Sequence, residues 1–284
     1  IMKKLLYLFL GLLFISQHIV AQVPYYVPTD GLVAYYPFNG NANDESGNGN
    51  NGVVNGAVLT EDRFGNANSS YYFSSQNCAT RIDSQINTSS INGALTVSFW
   101  VNKIGDGCIG PRIMEFWSPN DGPGRMVFSW DNDYSNIHTR LVTSTSNPNY
   151  IYNDMPNNSW AFITHTNDGT NTKLYQNGEL ILTSPSNGTV TLSGDAAFGR
   201  MNHPAYDAFN GNIDDIGIWN RALTEQEVAN LYTSNSSNEC STLVINTGVL
   251  SINPVAYTST VNIYPNPAND QITIDCGNLD NVEG

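Results

Sequence analysis

Charge is scarce in this chain. Only 13% of its residues are charged, with 11 Lys and Arg against 25 Asp and Glu, for a net charge of −14. Phosphate polymers and anionic membranes are held by basic patches, so neither is expected as a partner. Histidine is scarce as well. The three beyond the first 20 residues, His138, His165 and His203, stand far apart and form no His-Glu-x-x-His zinc-protease pattern. A Gly-x-Ser-x-Gly nucleophile elbow is also missing, and the four cysteines lack zinc-site spacing. No internal repeat of about 20–50 residues is present. What the chain has in quantity is Asn, Ser, Thr, Gly and Tyr. Solubility therefore comes from amides and hydroxyls, the surface of a secreted β-protein. Divalent cations and neutral glycans suit it better than polyanions.

The first 21 residues read as a signal peptide. Lys3 and Lys4 precede an apolar run from Leu5 to Ile15, and Ile19-Val20-Ala21 offers a cleavage site, so the mature chain is expected to start near Gln22. The run is shorter than the ~20 residues a membrane span needs, so no membrane-spanning segment is expected in the mature chain. Without the two lysines, 9 basic residues face 25 acidic ones, a net charge near −16. In such an oxidising compartment the cysteines can pair. Three pairings are open to Cys78, Cys108, Cys240 and Cys276. Cys78 with Cys108 is the one expected, since both fall inside the main domain.

Short alternating segments dominate the middle of the chain. Leu95–Lys103 sets Val97, Phe99 and Val101 against Ser98, Trp100 and Asn102. Arg112–Trp117, Arg125–Asp131, Ile137–Thr143, Ser159–Asn167 and Thr172–Gln176 continue as strands, with Pro and Gly between several of them. Asn177-Gly178 is a two-residue hairpin turn, because both central residues must reach positive φ. Many short strands at even spacing predict an all-β, two-sheet sandwich. Ile213–Trp219 reads as its closing strand, with Asp214, Ile216 and Ile218 on one face. A short helix follows. Thr224 caps it, Glu227 answers the cap three residues on, and Leu223 and Val228 hold the two staple positions. A carboxylate sharing a face with two isoleucines needs a cation or backbone N–H groups to neutralise it.

GNIDDIGIWNRALTEQEVANLY (Gly211–Tyr232) resembles the closing strand and helix of laminin-G-like, concanavalin A-like jelly rolls. GLVAYYPFNGNANDESGNGNNG (Gly31–Gly52) is similar to that family's opening, and LTVSFWVNK (Leu95–Lys103) to its central strand. The resemblance covers roughly Val23–Thr233. It implies an antiparallel jelly-roll sandwich with a short C-terminal helix, often with bound calcium, and a binding role rather than catalysis. In that arrangement the first and last strands lie close together. The loop Asp44–Asn50 offers oxygen ligands at every second position, as a hard cation wants. A structural calcium is therefore expected on Asp44, Asn48 or Asn50, and Asp214, the alternative being an Asx-turn loop without metal.

Sugars are bound on aromatic faces ringed by polar groups. Tyr150 and Tyr152 are interleaved with Asn and Pro in an expected loop, Asn147–Asn158, and Tyr206 lies in a second, Arg200–Asp207. These three are the expected ligand-binding residues. Trp100, Trp160 and Trp219 fall within strands and are expected to pack. Some jelly rolls of this superfamily are glucanases, which carry a Glu-x-Asp-x-x-Glu strand. No such run exists here, and Glu115 stands alone in its strand.

Residues 234–256 form a Ser/Asn/Thr-rich linker. Beyond it, Val261–Asp275 (VNIYPNPANDQITID) resembles the start of the C-terminal sorting domain of type IX secretion in Bacteroidetes-like bacteria. The expected organisation is thus a signal peptide (1–21), a laminin-G-like domain (22–233), the linker (234–256) and an incomplete sorting domain (257–284). The expected function is a secreted or cell-surface binding module that recognises a glycan or an extracellular protein, delivered by the type IX machinery. A polysaccharide-degrading enzyme or a passive surface protein is the alternative.

Overall fold

The computed structural model describes residues 23–75, 80–106, 110–118, 122–131, 136–143, 149–152, 155–186, 188, 190–192, 194, 196–200, 209–236, 244–246 and 271–273. Contacts divide the chain into two compact units, Ile1–Thr233 and Ser234–Gly284. In the second, β18 (Val244–Asn246) pairs antiparallel with β19 (Gln271–Thr273). The signal peptide and all four cysteines, Cys78 and Cys108 among them, lie outside the described residues, as does most of the sorting-domain stretch.

The first unit is a sandwich of two antiparallel sheets. One holds β1 (Leu32–Tyr36), β3 (Val58–Thr60), β4 (Ser70–Phe73), β7 (Leu95–Lys103), β12 (Trp160–Asn167), β13 (Asn171–Gln176), β14 (Glu179–Pro185) and β17 (Gly211–Trp219). Its order is β14-β13-β12-β7-β17-β4-β3. On the far side of β17 from β7, β4 pairs with residues 211–213 and β1 with residues 216–219, so β1 and β4 share one edge of it. First and last strands are thus neighbours. The second sheet runs β11-β10-β9-β8-β16-β5-β2. It comprises β2 (Val53–Asn55), β5 (Arg81–Asp83), β8 (Arg112–Phe116), β9 (Met126–Asp131), β10 (Asn136–Leu141), β11 (Asn149–Tyr152) and β16 (Ala196–Phe198). A small pair, β6 (Asn92–Gly93) with β15 (Val190–Thr191), stands apart.

Alternation along these strands sends one set of side chains between the sheets. Phe99 of β7 meets Phe128 of β9 edge-on at 5.0 Å, and Tyr36 of β1 meets Phe198 of β16 at 5.1 Å. His165 is enclosed here too, its Nδ1 3.2 Å from the Thr139 hydroxyl of the opposite sheet. Burial lowers its pKa to about 3, so the ring stays neutral. At Asn177 and Gly178 φ is 52° and 79°, the left-handed pair that turns β13 back into β14. Strand β14 forms an edge of its sheet and leaves Leu180, Ile181 and Leu182 exposed.

A second apolar cluster covers the outer face of the eight-stranded sheet. Trp100, Phe162, Tyr175 and Trp219 project from it and receive Val228 and Leu231 of α1 (Glu225–Ser236), with Leu223 just before it. The capping box is reciprocal: Glu227 N–H donates to Thr224 Oγ1 at 3.2 Å, and Thr224 N–H to Glu227 Oε2 at 2.8 Å. Hydrogen bonds from Arg221 hold the Glu227 carboxyl down at about 2.

On this outer face the alternation of β17 departs from expectation. Asp214 pairs with Trp100 and Gly217 with Ser98, so three steps on β17 match two on β7. The extra residue is a β-bulge, and Asp215 sits in it at φ 44°. Ile213, Ile216 and Ile218 all reach the inter-sheet core, while Asp214 turns to the other side. The shared face predicted for Asp214, Ile216 and Ile218 is therefore corrected by the bulge.

Arg63 neutralises the turned-out carboxylates. Its guanidinium lies 2.8 Å from Asp214 Oδ2 and 2.8 Å from Asp215 Oδ2, and stacks over Trp100 and Phe64 at 4.5 Å each. Tyr35 donates its hydroxyl to Asp215 Oδ1 at 2.9 Å, and Asp215 N–H donates to Asp214 Oδ1 at 2.8 Å. Desolvation raises both carboxyl pKa values, and for Asp214 the Asp215 charge adds to it, against the lowering pull of Arg63. Arg63→Met would leave two buried charges without a cation and is expected to cost about 3–5 kcal/mol at neutral pH. With folded-state pKa values above the unfolded ~3.9, that penalty is largest at high pH and shrinks as pH falls toward 4. Denaturant titrations of both proteins between pH 4 and 8 check this; a penalty independent of pH would contradict it.

Candidate functional site

Strand β1, which pairs with the closing strand, and the loop after it build a densely hydrogen-bonded polar surface. Asp44 organises the loop through its own oxygens. Its Oδ1 accepts Tyr35 N–H at 3.0 Å and Ser46 N–H at 2.9 Å, and its Oδ2 accepts Asn50 N–H at 2.9 Å. Asn48 Nδ2 donates to the Leu32 and Val33 carbonyls at 2.9 and 3.0 Å, and Asn50 Nδ2 donates to Val33 O at 2.8 Å. Tyr36 closes the loop from below, its hydroxyl donating to Asn50 O at 2.6 Å. The loop thus completes the hydrogen bonding of a strand whose first residues would otherwise present bare carbonyls.

This arrangement does not fit the expected calcium shell. Asp44 already faces three N–H groups, and Asp214 faces Arg63 instead of the loop. Among the described residues no group of three or more His, Cys, Asp or Glu is gathered to hold a metal ion. The cation demanded by the buried Asp214 is a guanidinium, which no spacing rule points to from 151 residues away.

The same asparagines line a cleft. Leu32, Val33, Asn48, Asn50, Asn87, Ser90 and Asn220 surround a space of about 300 Å³, at the small end of ligand-binding cavities. Three chain regions meet there: the Asp44 loop, a 3₁₀ turn (Thr88–Ser90) capped by Asn87, and the residue after β17. Asn87 Oδ1 takes the Ser89 N–H at 3.2 Å, and Asn220 Nδ2 reaches Ser90 O at 3.4 Å. These bonds use the amide N–H groups of Asn48, Asn50 and Asn220 and the amide oxygen of Asn87. Among the described residues the opposite ends of those four amides, three acceptors and one donor, meet no partner. Leu32 and Val33 add an apolar strip. Asn87, Ser90 and Asn220 were not singled out from sequence; only the turn-forming character of such residues marks them.

The aromatic candidates are placed differently from expectation. Tyr150 and Tyr152 lie on β11, not in a loop, and both are buried in the inter-sheet core. Tyr152 donates its hydroxyl to Thr164 O of the opposite sheet at 2.8 Å. Strand pairing of β11 with β10 turns both rings inward, which removes them from any ligand face. Tyr206 lies outside the described residues. Trp100 and Trp219 are buried in the second cluster, and Trp160 packs against it. Glu115 is also enclosed, with Arg125 Nε 2.6 Å from Oε1 and Arg112 Nε 3.6 Å from Oε2.

The fold is that of the concanavalin A-like jelly rolls: two antiparallel sheets, first and last strands adjacent, one short C-terminal helix. Residues 75–229 match the model of the laminin-G family described as "Concanavalin A-like lectin/glucanases superfamily", and the chain belongs to that family. A search of the curated proteins finds no match. Among solved structures, the binding domain of Paraclostridial Mosquitocidal Protein 1 aligns at TM-score 0.60 and 22% identity, covering 77% of this chain and 58% of that one. A botulinum neurotoxin type C structure, whose cell entry depends on two ganglioside molecules, aligns at 0.57 and 21%, covering 72% and 51%. The chain thus spans little more than half of these toxin chains. Domain 4 of AbnA, an extracellular arabinanase of Geobacillus stearothermophilus, in complex with arabinotriose, aligns at 0.54 and 19%, covering 71% of this chain and 98% of that domain. Identities this low establish the shared fold alone. Among the described residues no helix is long and apolar enough to cross a membrane.

Since the Asp44 loop is satisfied by its own N–H groups, treatment with a calcium chelator is expected to leave the thermal midpoint within 1 °C or so. A specific ion at ~100 times its dissociation constant would contribute about 2.7 kcal/mol, and a drop of several degrees on chelation would reinstate the metal.

Proposed function

We propose that this protein is a secreted, non-catalytic binding module whose ligand is a neutral glycan held in the asparagine-lined cleft. The observation that carries this is the convergence of Asn48, Asn50, Asn87 and Asn220 on one recess beside an apolar strip. Amides match sugar hydroxyls, since each offers a donor and an acceptor at one end of a planar group. A neutral lining also suits a chain with few charges. The family and the arabinotriose-bound domain of the same fold support a carbohydrate ligand by analogy. Glu115 speaks against glycosidase chemistry, because a carboxylate clamped by arginine neither donates a proton nor reaches a sugar. The leader and the Val261–Asp275 stretch would carry the module out of the cell and to the type IX machinery.

Affinity electrophoresis of the mature chain through gels of neutral polysaccharides, scored together with release of reducing ends, tests the reading. Retention without release is expected. Asn220→Ala, which gives up only one long hydrogen bond within the protein, is expected to weaken retention about tenfold, equivalent to ~1.4 kcal/mol, at an unchanged thermal midpoint. Release of sugars would move the protein to the enzyme class. Retention by no neutral polymer, or indifference to Asn220→Ala, would remove the cleft.

A further inference from the structure

The seven-stranded sheet has an outer face of its own, and cations collect there. Of 11 Lys and Arg in the chain, Arg81, Arg112 and Arg140 stand on β5, β8 and β10, and Arg125 directly precedes β9. Core residues alternate with them: Ile82, Ile113, Met126 and Leu141 all point between the sheets. The four arginines therefore share the face turned away from the core, with His138.

Acid partners are distributed unevenly on that face. Asp83 takes Arg81 at 2.7 Å, Asp131 lies 3.4 Å from His138, and Glu115 takes both Arg125 and Arg112. Among the described residues Arg140 has no carboxylate partner. Its Nε is buried and makes no hydrogen bond, while the side chain as a whole is half-buried. A buried donor left unmet is costly, more so on a charged group. Register explains why no neighbour answers it. Glu115 pairs with Val127, and Val127 with Arg140, so a short apolar side chain on β9 separates the acid from this guanidinium. Neighbouring strands lie about 4.8 Å apart, which puts Glu115 and Arg140 roughly two strand spacings from each other, too far for an ion pair.

We propose that Arg140 anchors a carboxylate subsite on this face, for a glycan that carries isolated sugar acids. A guanidinium is a planar fork that takes a carboxylate through two parallel hydrogen bonds, and among the described residues nothing engages this one. The choice of a sparsely acidic ligand follows from charge. A phosphate polymer or a densely acidic one engages several free cations at once, whereas the described residues of this face offer one, on a molecule whose net charge repels polyanions at long range. The subsite goes beyond the neutral cleft and shares no residue with it, so the two readings stand or fall separately.

The test compares retention of the mature chain in gels of 4-O-methylglucuronoxylan and of the same polymer after reduction of its carboxyl groups to alcohols. The wild-type chain is expected to bind the acidic polymer about tenfold more tightly. Arg140→Gln is expected to abolish that preference, and Asn220→Ala to leave it in place. Arg140→Lys, which keeps the charge without the fork, is expected to retain part of it and guards against a misfolded glutamine variant. Equal retention of the two polymers by the wild-type chain, absence of retention included, overturns the subsite. A preference that survives in Arg140→Gln overturns it too.

Discussion

Arg63 shares its guanidinium between two buried carboxylates, and the geometry of the closing strand depends on it. A bulge is needed at Asp214 and Asp215 because three inward isoleucines, at 213, 216 and 218, cannot be placed by strict alternation. The bulge throws two acidic side chains to the outer face, where Trp100, Tyr35 and Trp219 also lie. One cation stacked on Trp100 lets those charges stay there. With β17 so fixed, β7 pairs on one side and β1 with β4 on the other, and both sheet and helix follow. Buried charges repay little beyond their desolvation, so the pairs matter chiefly through the cost of losing one partner.

Much of this was legible in the residues. The strands with clear alternation, the Asn177-Gly178 turn and the Thr224–Glu227 capping box are local signals, and local signals survive folding. Leu95–Lys103 appears with the predicted bounds, and the closing strand, expected over Ile213–Trp219, begins two residues earlier at Gly211. The failures came where a pattern was interrupted or a partner was remote. Tyr150 and Tyr152 looked like loop residues because Asn and Pro surround them, yet cross-strand pairing with β10 makes them core. The face of Asp214 was misread because one left-handed residue shifts the period, and Asp carries no mark of a bulge. Its counter-ion could not be found from spacing, because contacts of high sequence separation leave no periodic trace.

The candidate site was half visible. The Asp44 loop was recognised as a polar, turn-rich structure, but its oxygens were assigned to a metal when backbone N–H groups use them. Asn48 and Asn50 stand instead as walls of a cleft. Asn87 and Asn220 join them only because β1, the 3₁₀ turn and the end of β17 converge in space. Two kinds of polar surface result. Amides line one recess beside β1, and arginines occupy the outer face of the opposite sheet. If the proposed cleft and subsite both hold sugars, weak individual contacts would add up along one polymer.

The edge strand β14 has a consequence for the molecule in crowded surroundings. Among the described residues its outward N–H and C=O groups have no partner strand, and Leu180, Ile181 and Leu182 add an oily border without a lysine to discourage pairing. Any extended segment drifting alongside finds a ready-made rail on which to zip. Packed densely on a surface, such molecules have a natural seam along which neighbours can be stitched together.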